Sequence, residues 1–154
     1  MGHRVWRIGY RVWGIGVLFF NVVCANIAQA SSVCAQETCV NVEVVSTMEG
    51  MRRGLQGREA LAENQGMLFA FDNDDFQKFW MKDMKFAIDM IWIDNQRRIV
   101  SIASARPPCM QETCEVYSPS QKARYVLEVP AGFALAHQFK EGVVFEFKEV
   151  KIKP

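Results

Sequence analysis

The sequence predicts a mainly β protein, a compact antiparallel β-sandwich or barrel of about seven short strands with one or two short helices. Three observations favour this class. Short apolar runs recur along the chain, and residues that form turns separate them. Little helical periodicity lies between the runs, so the strands are expected to pair antiparallel without crossover helices. The chain has 154 residues, half of them hydrophobic, which suits a single globular domain.

The predicted elements follow from local patterns. Apolar and polar residues alternate at 40–45, as in a half-buried strand. Residues 49–63 are helix-like but are broken by Gly54 and Gly57, which predicts two short helical turns around a bend. Further strands are predicted at 66–71, 76–81, 86–93, 98–103, 124–129 and 143–152, with helical turns at 133–139.

The connections between these elements are also predicted. Residues 72–75 form an acidic turn, 94–97 a hairpin turn, and 107–119 a long loop that contains three prolines. Residues 76–81 and 86–93 are expected to pair with each other at the centre of the fold. The segment at 79–94 is the densest part of the chain, with methionines and aromatic residues close together.

The first thirty residues have the pattern of a signal peptide. Three arginines within residues 1–11 form a basic leader, residues 12–20 are uninterrupted apolar, and residues 28–30 read Ala-Gln-Ala, as a signal peptidase requires. The apolar run is shorter than the roughly 20 residues of a membrane-spanning helix. We therefore expect cleavage before Ser31 and export to the bacterial periplasm or the medium, with the membrane involved only before cleavage. An uncleaved anchor is the alternative.

The mature chain is expected to consist of an N-terminal linker, residues 31–39, and a single β domain, residues 40–154. Loss of three arginines leaves 18 − 3 = 15 basic residues against 17 acidic ones, a net charge of −2. No basic patch interleaved with aromatic residues is present, so nucleic acid is not an expected partner.

Four cysteines of the mature chain form two pairs with the same spacing, Cys34 with Cys39 and Cys109 with Cys114. An exported chain meets an oxidising compartment, so disulfides are expected. Two local bridges and two cross-links between the pairs are both possible; we favour local bridges because each pair lies in a polar segment that can fold back. A four-cysteine zinc site is the alternative, but the four-residue gaps are wide for zinc and no histidine accompanies them. No metal is expected.

Asp89 and Glu128 each lie in an apolar strand, where a lone charge is costly to bury. If the two carboxyls met, they could share a proton and act as acid and base in catalysis. The alternative is that each pairs with an arginine at the rim of the barrel, such as Arg53, Arg58 or Arg124, since buried carboxylates are usually paired.

A ligand-binding groove is predicted around Trp80, Met81 and Met84, with Arg53 and Arg58 in its polar frame. An aromatic face can stack on a sugar or hold a peptide, although tryptophans also serve as core residues. Clustered methionines suit Cu(I), but more often they fill gaps in a core. The sequence has no Gly-x-Ser-x-Gly elbow and no phosphate-binding loop, and we expect no cofactor.

Several motifs occur in the order typical of one family: Arg53-Gly54-Leu55, Gly66-Met67-Leu68-Phe69, Phe79-Trp80-Met81-Lys82, Ile88-Asp89-Met90-Ile91, Pro107-Pro108-Cys109 and Tyr125-Val126-Leu127-Glu128-Val129-Pro130-Ala131-Gly132. Together they resemble the domain-of-unknown-function family 192, over about residues 40–150. Gln56 departs from the family pattern, which often has methionine there, and Lys82-Asp83-Met84 stands for the usual Lys-Asn-Thr. The resemblance implies a mostly β fold, often exported, and no activity.

The sequence therefore predicts a small exported β-domain of an uncharacterised family. We expect it to bind a small molecule, a glycan or a protein partner in the cell envelope, without catalysis. One alternative is a hydrolase-like enzyme that uses Asp89 and Glu128 as acid and base on an envelope carbohydrate or peptide. The other is a structural envelope protein.

Overall fold

The computed structural model of this chain describes residues 30–152. The predicted signal peptide, apart from its last residue, lies outside the described residues. The elements are β1 (Ser32–Ala35), β2 (Thr38–Val45), α1 (Met48–Arg53), β3 (Gln65–Asp75), β4 (Phe79–Trp80), β5 (Ile88–Ile93), β6 (Ile99–Arg106), β7 (Val116–Tyr117), β8 (Ala123–Pro130), α2 (Phe133–Ala136) and β9 (Glu146–Lys148). Within this range no helix is long and apolar enough to cross a membrane. The mainly β class is confirmed.

Seven strands form one curled sheet in the order β6-β5-β8-β3-β2-β1-β9, and β4 pairs with β7 in a small second sheet. The segment before β9 joins the two edges of the large sheet. The Ile99 N–H donates to the Val143 carbonyl (2.8 Å) and the Phe145 N–H to the Arg97 carbonyl (2.8 Å), beside the start of β6. The chain then continues as β9, which pairs with β1. The sheet is therefore curled into a nearly closed barrel.

The expectation of purely antiparallel pairing is wrong for β2 and β3, which run parallel. Parallel neighbours need a crossover connection, and the segment that contains α1 supplies it. The side chain of Thr47 caps this helix by accepting a hydrogen bond from the Gly50 N–H (3.2 Å). Gly54 ends the helix with φ 48°, a left-handed value that glycine adopts at low cost.

The expected central pair of strands is also wrong. β5 lies between β6 and β8, and β4 pairs with β7 instead. All six residues of β5 are buried, so this strand needs hydrogen-bonded neighbours on both edges and cover on both faces. Residues 72–75, expected to be a turn, belong to β3, and the last strand is shorter than predicted. Residues 31–39, expected to be a linker, include β1 and the first residues of β2.

The large sheet is buried on both faces. One face contributes Leu68, Ile91 and Leu127 to a cluster that also includes Phe133 of α2. The other face contributes Met67, Phe69, Met90, Trp92 and Val126 to a second cluster. Leu55, in the turn after α1, and Met81 and Met84, after β4, pack over this second face. The crossover segment and the small sheet thus provide its cover.

Both cysteine pairs are bridged locally, so the favoured pairing is confirmed. Cys34 and Cys39 face each other in the β1–β2 hairpin, with an S–S distance of 2.11 Å. Cys109 and Cys114 close a loop between β6 and β7, with an S–S distance of 2.08 Å. The second bridge lies beside the small sheet because the Cys109 N–H donates to the Met81 carbonyl (2.9 Å).

Candidate functional site

A cleft of about 470 Å³ opens on the second face of the sheet, between the α1 segment (residues 48–56) and the β4 segment (residues 78–84). This volume is within the range of small-molecule sites. Its lining includes four buried side chains, which form the floor: Leu55, Phe69, Met84 and Glu128. Its exposed lining residues, which form the rim, are Met48, Arg52, Arg53, Lys78 and Trp80. Phe79 forms part of the wall and makes edge-to-face contacts with Phe69 and Phe71, at 5.0 and 6.3 Å between ring centroids.

Glu128 is the polar group of the floor. Its cross-strand neighbours are Met67 of β3 and Met90 of β5, both buried and apolar. Glu128 is 5% exposed, and no ion pair or side-chain hydrogen bond to its carboxyl group occurs within residues 30–152. Burial raises the pKa of Glu128 from 4.5 to about 8. At neutral pH the group is therefore mainly a protonated carboxylic acid, which can both donate and accept a hydrogen bond.

Four cations line the cleft: Arg52 and Arg53 on α1, and Lys78 and Lys82 on either side of β4. None of the four forms an ion pair with a carboxylate in the part of the chain that the structure describes. Arg52 Nε donates to the Met48 carbonyl (3.4 Å) and Lys82 Nζ to the Gln111 carbonyl (2.7 Å). With Glu128 protonated, the described lining of the cleft carries only positive charge.

Asp89 has a different environment and no exposed surface. Its Oδ1 accepts hydrogen bonds from the backbone N–H groups of Ala105 (2.7 Å) and Gly132 (3.0 Å), and its Oδ2 accepts one from Ala134 (2.8 Å). These bonds tie β5 to the end of β6 and to the start of α2. Asp89 forms no ion pair within residues 30–152, and its three N–H donors satisfy the buried side chain, so its contacts are structural.

The structure does not bring Asp89 and Glu128 together. Asp89 lies opposite Val129, whereas Glu128 lies opposite Met90. Residues that face each other across two strands point to the same side, and successive residues point to opposite sides. The two carboxyls therefore lie on opposite faces of the sheet and cannot share a proton.

Within residues 30–152, the expected pairing of these carboxyls with arginines is not formed either. Arg58 pairs with Glu43 (2.5 Å) and Arg124 with Asp74 (2.6 Å), both near the surface. Arg53 lines the cleft. Instead of pairing with an arginine, Asp89 accepts hydrogen bonds from backbone N–H groups, and Glu128 is protonated.

Of the predicted groove residues, the structure places Trp80, Met84 and Arg53 around the cleft. Met81 is buried in the core, and Arg58 lines a separate, smaller concavity near Ser31. Arg52 and Lys78 also line the cleft but are not among the predicted site residues. The one sequence feature that could have identified them is their place beside predicted residues. Arg52 precedes Arg53, and Lys78 precedes the Phe79-Trp80 motif. No group of three or more His, Cys, Asp or Glu side chains suited to a metal ion occurs within the described range.

Comparison with known proteins finds a family and a shared fold. Residues 31–147 match the model of domain of unknown function 192 (DUF192), described as Uncharacterized ACR. A UPF0127 protein from Thermococcus gammatolerans is 38% identical over 55 residues, 36% of this chain and 32% of that relative. This chain thus spans less than a third of that relative's length.

Two solved structures have the same fold. One is a protein of unknown function from Novosphingobium aromaticivorans DSM 12444, with a TM-score of 0.69 and 24% identity over 76% of this chain and 83% of that chain. The other is a putative transcription regulator from Sinorhizobium meliloti 1021, with a TM-score of 0.69 and 24% identity over 76% of this chain and 91% of that chain. The family model covers most of this sequence. The chain therefore belongs to the DUF192 family.

Proposed function

We propose that this protein is an exported ligand-binding domain whose cleft takes one small molecule with an apolar body and does not catalyse its conversion. One observation carries the proposal: Glu128, buried and without a protein partner among the described residues, lies at the floor of an open apolar cleft. Burying an unpaired carboxyl lowers stability, and such groups with perturbed pKa values cluster at functional sites.

The side chains around the cleft support binding rather than catalysis. The described lining contains no Ser, Thr, Cys, His or Asp, so Glu128 has no hydroxyl, thiol or imidazole nucleophile and no second carboxyl group beside it. Asp89, its expected partner, lies on the other face of the sheet and is occupied by three N–H donors. The floor offers apolar contact through Leu55, Phe69 and Met84 instead.

Binding can be tested with N-phenyl-1-naphthylamine, a neutral apolar probe whose fluorescence rises in apolar surroundings. The wild-type protein should enhance the emission, and Met51→Trp should weaken the binding because Met51 lines the cleft and a larger side chain fills it. Leu135→Trp is the matched control, since Leu135 is 82% exposed on α2 and does not line the cleft. An unchanged thermal midpoint would show that both variants fold. Equal probe binding by the two variants would refute binding in the cleft.

Export is the second part of the proposal. It is supported by the basic leader, the apolar run and the Ala-Gln-Ala site in the sequence. Two local disulfides, which persist in an oxidising compartment, also support it. Expression of the full chain in a Gram-negative host, followed by cell fractionation and intact-mass analysis, tests it. A periplasmic or secreted product should begin at Ser31 and contain four oxidised cysteines. A reduced, full-length product in the cytoplasm would refute export.

A further inference from the structure

We infer that the cleft selects an amphipathic anion, a small molecule with an apolar body and one singly charged anionic head group such as a carboxylate. This inference rests on the proposed function, because it specifies the ligand of the same cleft. The apolar body contacts the floor, and the head group lies at the rim among the cations of α1 and the β4 segment.

The charge of the cleft points to an anion. Arg52 and Arg53 line it from α1, and Lys78 and Lys82 line it from the β4 segment. Elsewhere in the described range, several Lys and Arg side chains pair with carboxylates, as Arg58 does with Glu43. The four cations of the cleft have no such pair in the same described range, and low-dielectric walls strengthen their combined field. A head group at the rim would meet positive charge from two elements.

The apolar floor of the cleft disfavours a ligand with more than one charged group. Leu55, Phe69 and Met84 are buried below the rim, and Phe71 and Phe79 add aromatic wall. A polyanion such as a nucleotide would place its polar atoms against these side chains, where they would lose water without gaining hydrogen bonds. An alkyl chain or an aromatic ring gains contact there, and one charge remains in reach of the cations. The cleft therefore suits a molecule with one polar end.

Glu128 makes the affinity of the cleft for an anion depend on pH. It is the one acidic residue in the described lining of the cleft, and its strand neighbours Met67 and Met90 carry no charge. The charged groups that share the cleft with it are the four cations named above. While Glu128 is protonated, it does not repel an anion. As the pH rises through its pKa of about 8, ionisation adds a negative charge to the floor, and anion affinity falls.

Three ligands with the same ten-carbon chain test the head group: decanoate, decanol and decyltrimethylammonium, each below its micelle concentration. Displacement of N-phenyl-1-naphthylamine from the wild-type protein gives their affinities. We expect decanoate to bind about tenfold more tightly than decanol, and decyltrimethylammonium to bind most weakly. Equal affinity of decanoate and decanol would overturn the anion inference and leave apolar binding intact. A protein that fails to bind even the naphthylamine probe would refute the proposed function itself.

Two variants locate the effect. Arg52→Gln with Arg53→Gln should weaken decanoate about fivefold and leave decanol unchanged, because each exposed charge contributes modestly. Lys140→Gln with Lys151→Gln is the matched control, since it removes two exposed positive charges that do not line the cleft. A similar loss of decanoate affinity in both double variants would show a general effect of net charge and overturn the inference.

A third variant tests the floor. In the wild-type protein, decanoate affinity should fall severalfold between pH 7 and pH 9, and Glu128→Gln should abolish that fall because glutamine does not ionise. The fall should be smaller for decanol, which carries no charge. A pH dependence that persists in Glu128→Gln would exclude Glu128 as its source.

Discussion

Replacement of Glu128 by glutamine should stabilise the protein at neutral and alkaline pH. The amide has nearly the same size as the carboxyl group and cannot ionise. Burial raises the pKa of Glu128 in the folded state from 4.5 to about 8. Below the lower value the group is protonated in both the folded and the unfolded chain, so it adds no dependence on pH. Between the two values only the unfolded chain releases the proton, so the free energy of unfolding falls as the pH rises.

The size of this effect follows from the shift. One pKa unit corresponds to about 1.4 kcal/mol, so stability falls by that amount for each pH unit between 4.5 and about 8. Near pH 7 the accumulated loss is about 3 kcal/mol, and above pH 8 it approaches about 5 kcal/mol. The loss is a large part of the total stability of a typical domain, about 5–15 kcal/mol. In Glu128→Gln this contribution is absent.

Urea unfolding at several pH values between about 4 and 9 measures the effect, with the disulfides kept intact. The difference in unfolding free energy between Glu128→Gln and the wild type should grow in favour of the variant as the pH rises. Glu146→Gln is the control, since Glu146 is exposed and, among residues 30–152, pairs only with Lys148 (3.4 Å). Its curve should stay parallel to that of the wild type. A constant difference for Glu128→Gln across the whole range would refute the reasoning, because Glu128 would then ionise normally in the folded protein.

Three further changes test other features. Asp89→Asn should lower the unfolding free energy by about 2–4 kcal/mol, because one of the three backbone N–H donors would face an amide N–H₂ instead of an oxygen. Urea unfolding measures this loss, and an unchanged urea midpoint would contradict it. Cys109→Ser with Cys114→Ser should lower the free energy of unfolding by about 2 kcal/mol, the value that the chain-entropy model gives for a disulfide closing so short a loop. The thermal midpoint of this double variant should equal that of the protein in which the same disulfide has been selectively reduced. Gly66→Ala should lower the free energy of unfolding by about 1–3 kcal/mol, since an added Cβ would lie 2.9 Å from the Glu128 carbonyl oxygen. A thermal midpoint equal to that of the wild type would show that the backbones of β3 and β8 can move apart to make room.

The sequence predicted where the strands lie along the chain better than which strands pair with each other. The alternating residues 40–45 lie within β2 and the run 124–129 lies within β8, because both patterns reflect burial within a single strand. The parallel pairing of β2 with β3 depends on where the crossover places β3, and no local pattern encodes that. The same limit applies to β5, whose two neighbours come from later parts of the chain.

The candidate site shows this limit most clearly. Asp89 and Glu128 both stand inside apolar runs, and the register between β5 and β8 alone decides whether their side chains meet. A shift by one residue would place them on the same face, so sequence reasoning could not separate the two outcomes. The three donors to Asp89 are backbone N–H groups, which have no signature in the sequence. Arg52 and Lys78 resemble any other surface cations until the fold places them at one cleft.

The pairing of β9 with β1 has a consequence for how this chain can fold. The first and last strands of the described domain are neighbours, so residues more than one hundred positions apart must meet, as Val33 meets Phe147. Such a topology has a high contact order, and contacts of this kind form slowly. Until β9 leaves the ribosome, β1 has one unpaired edge and the barrel cannot close. Until residues 146–148 join the sheet, the edge of β1 stays open, and an unpaired edge of this kind can pair with another chain or with a chaperone.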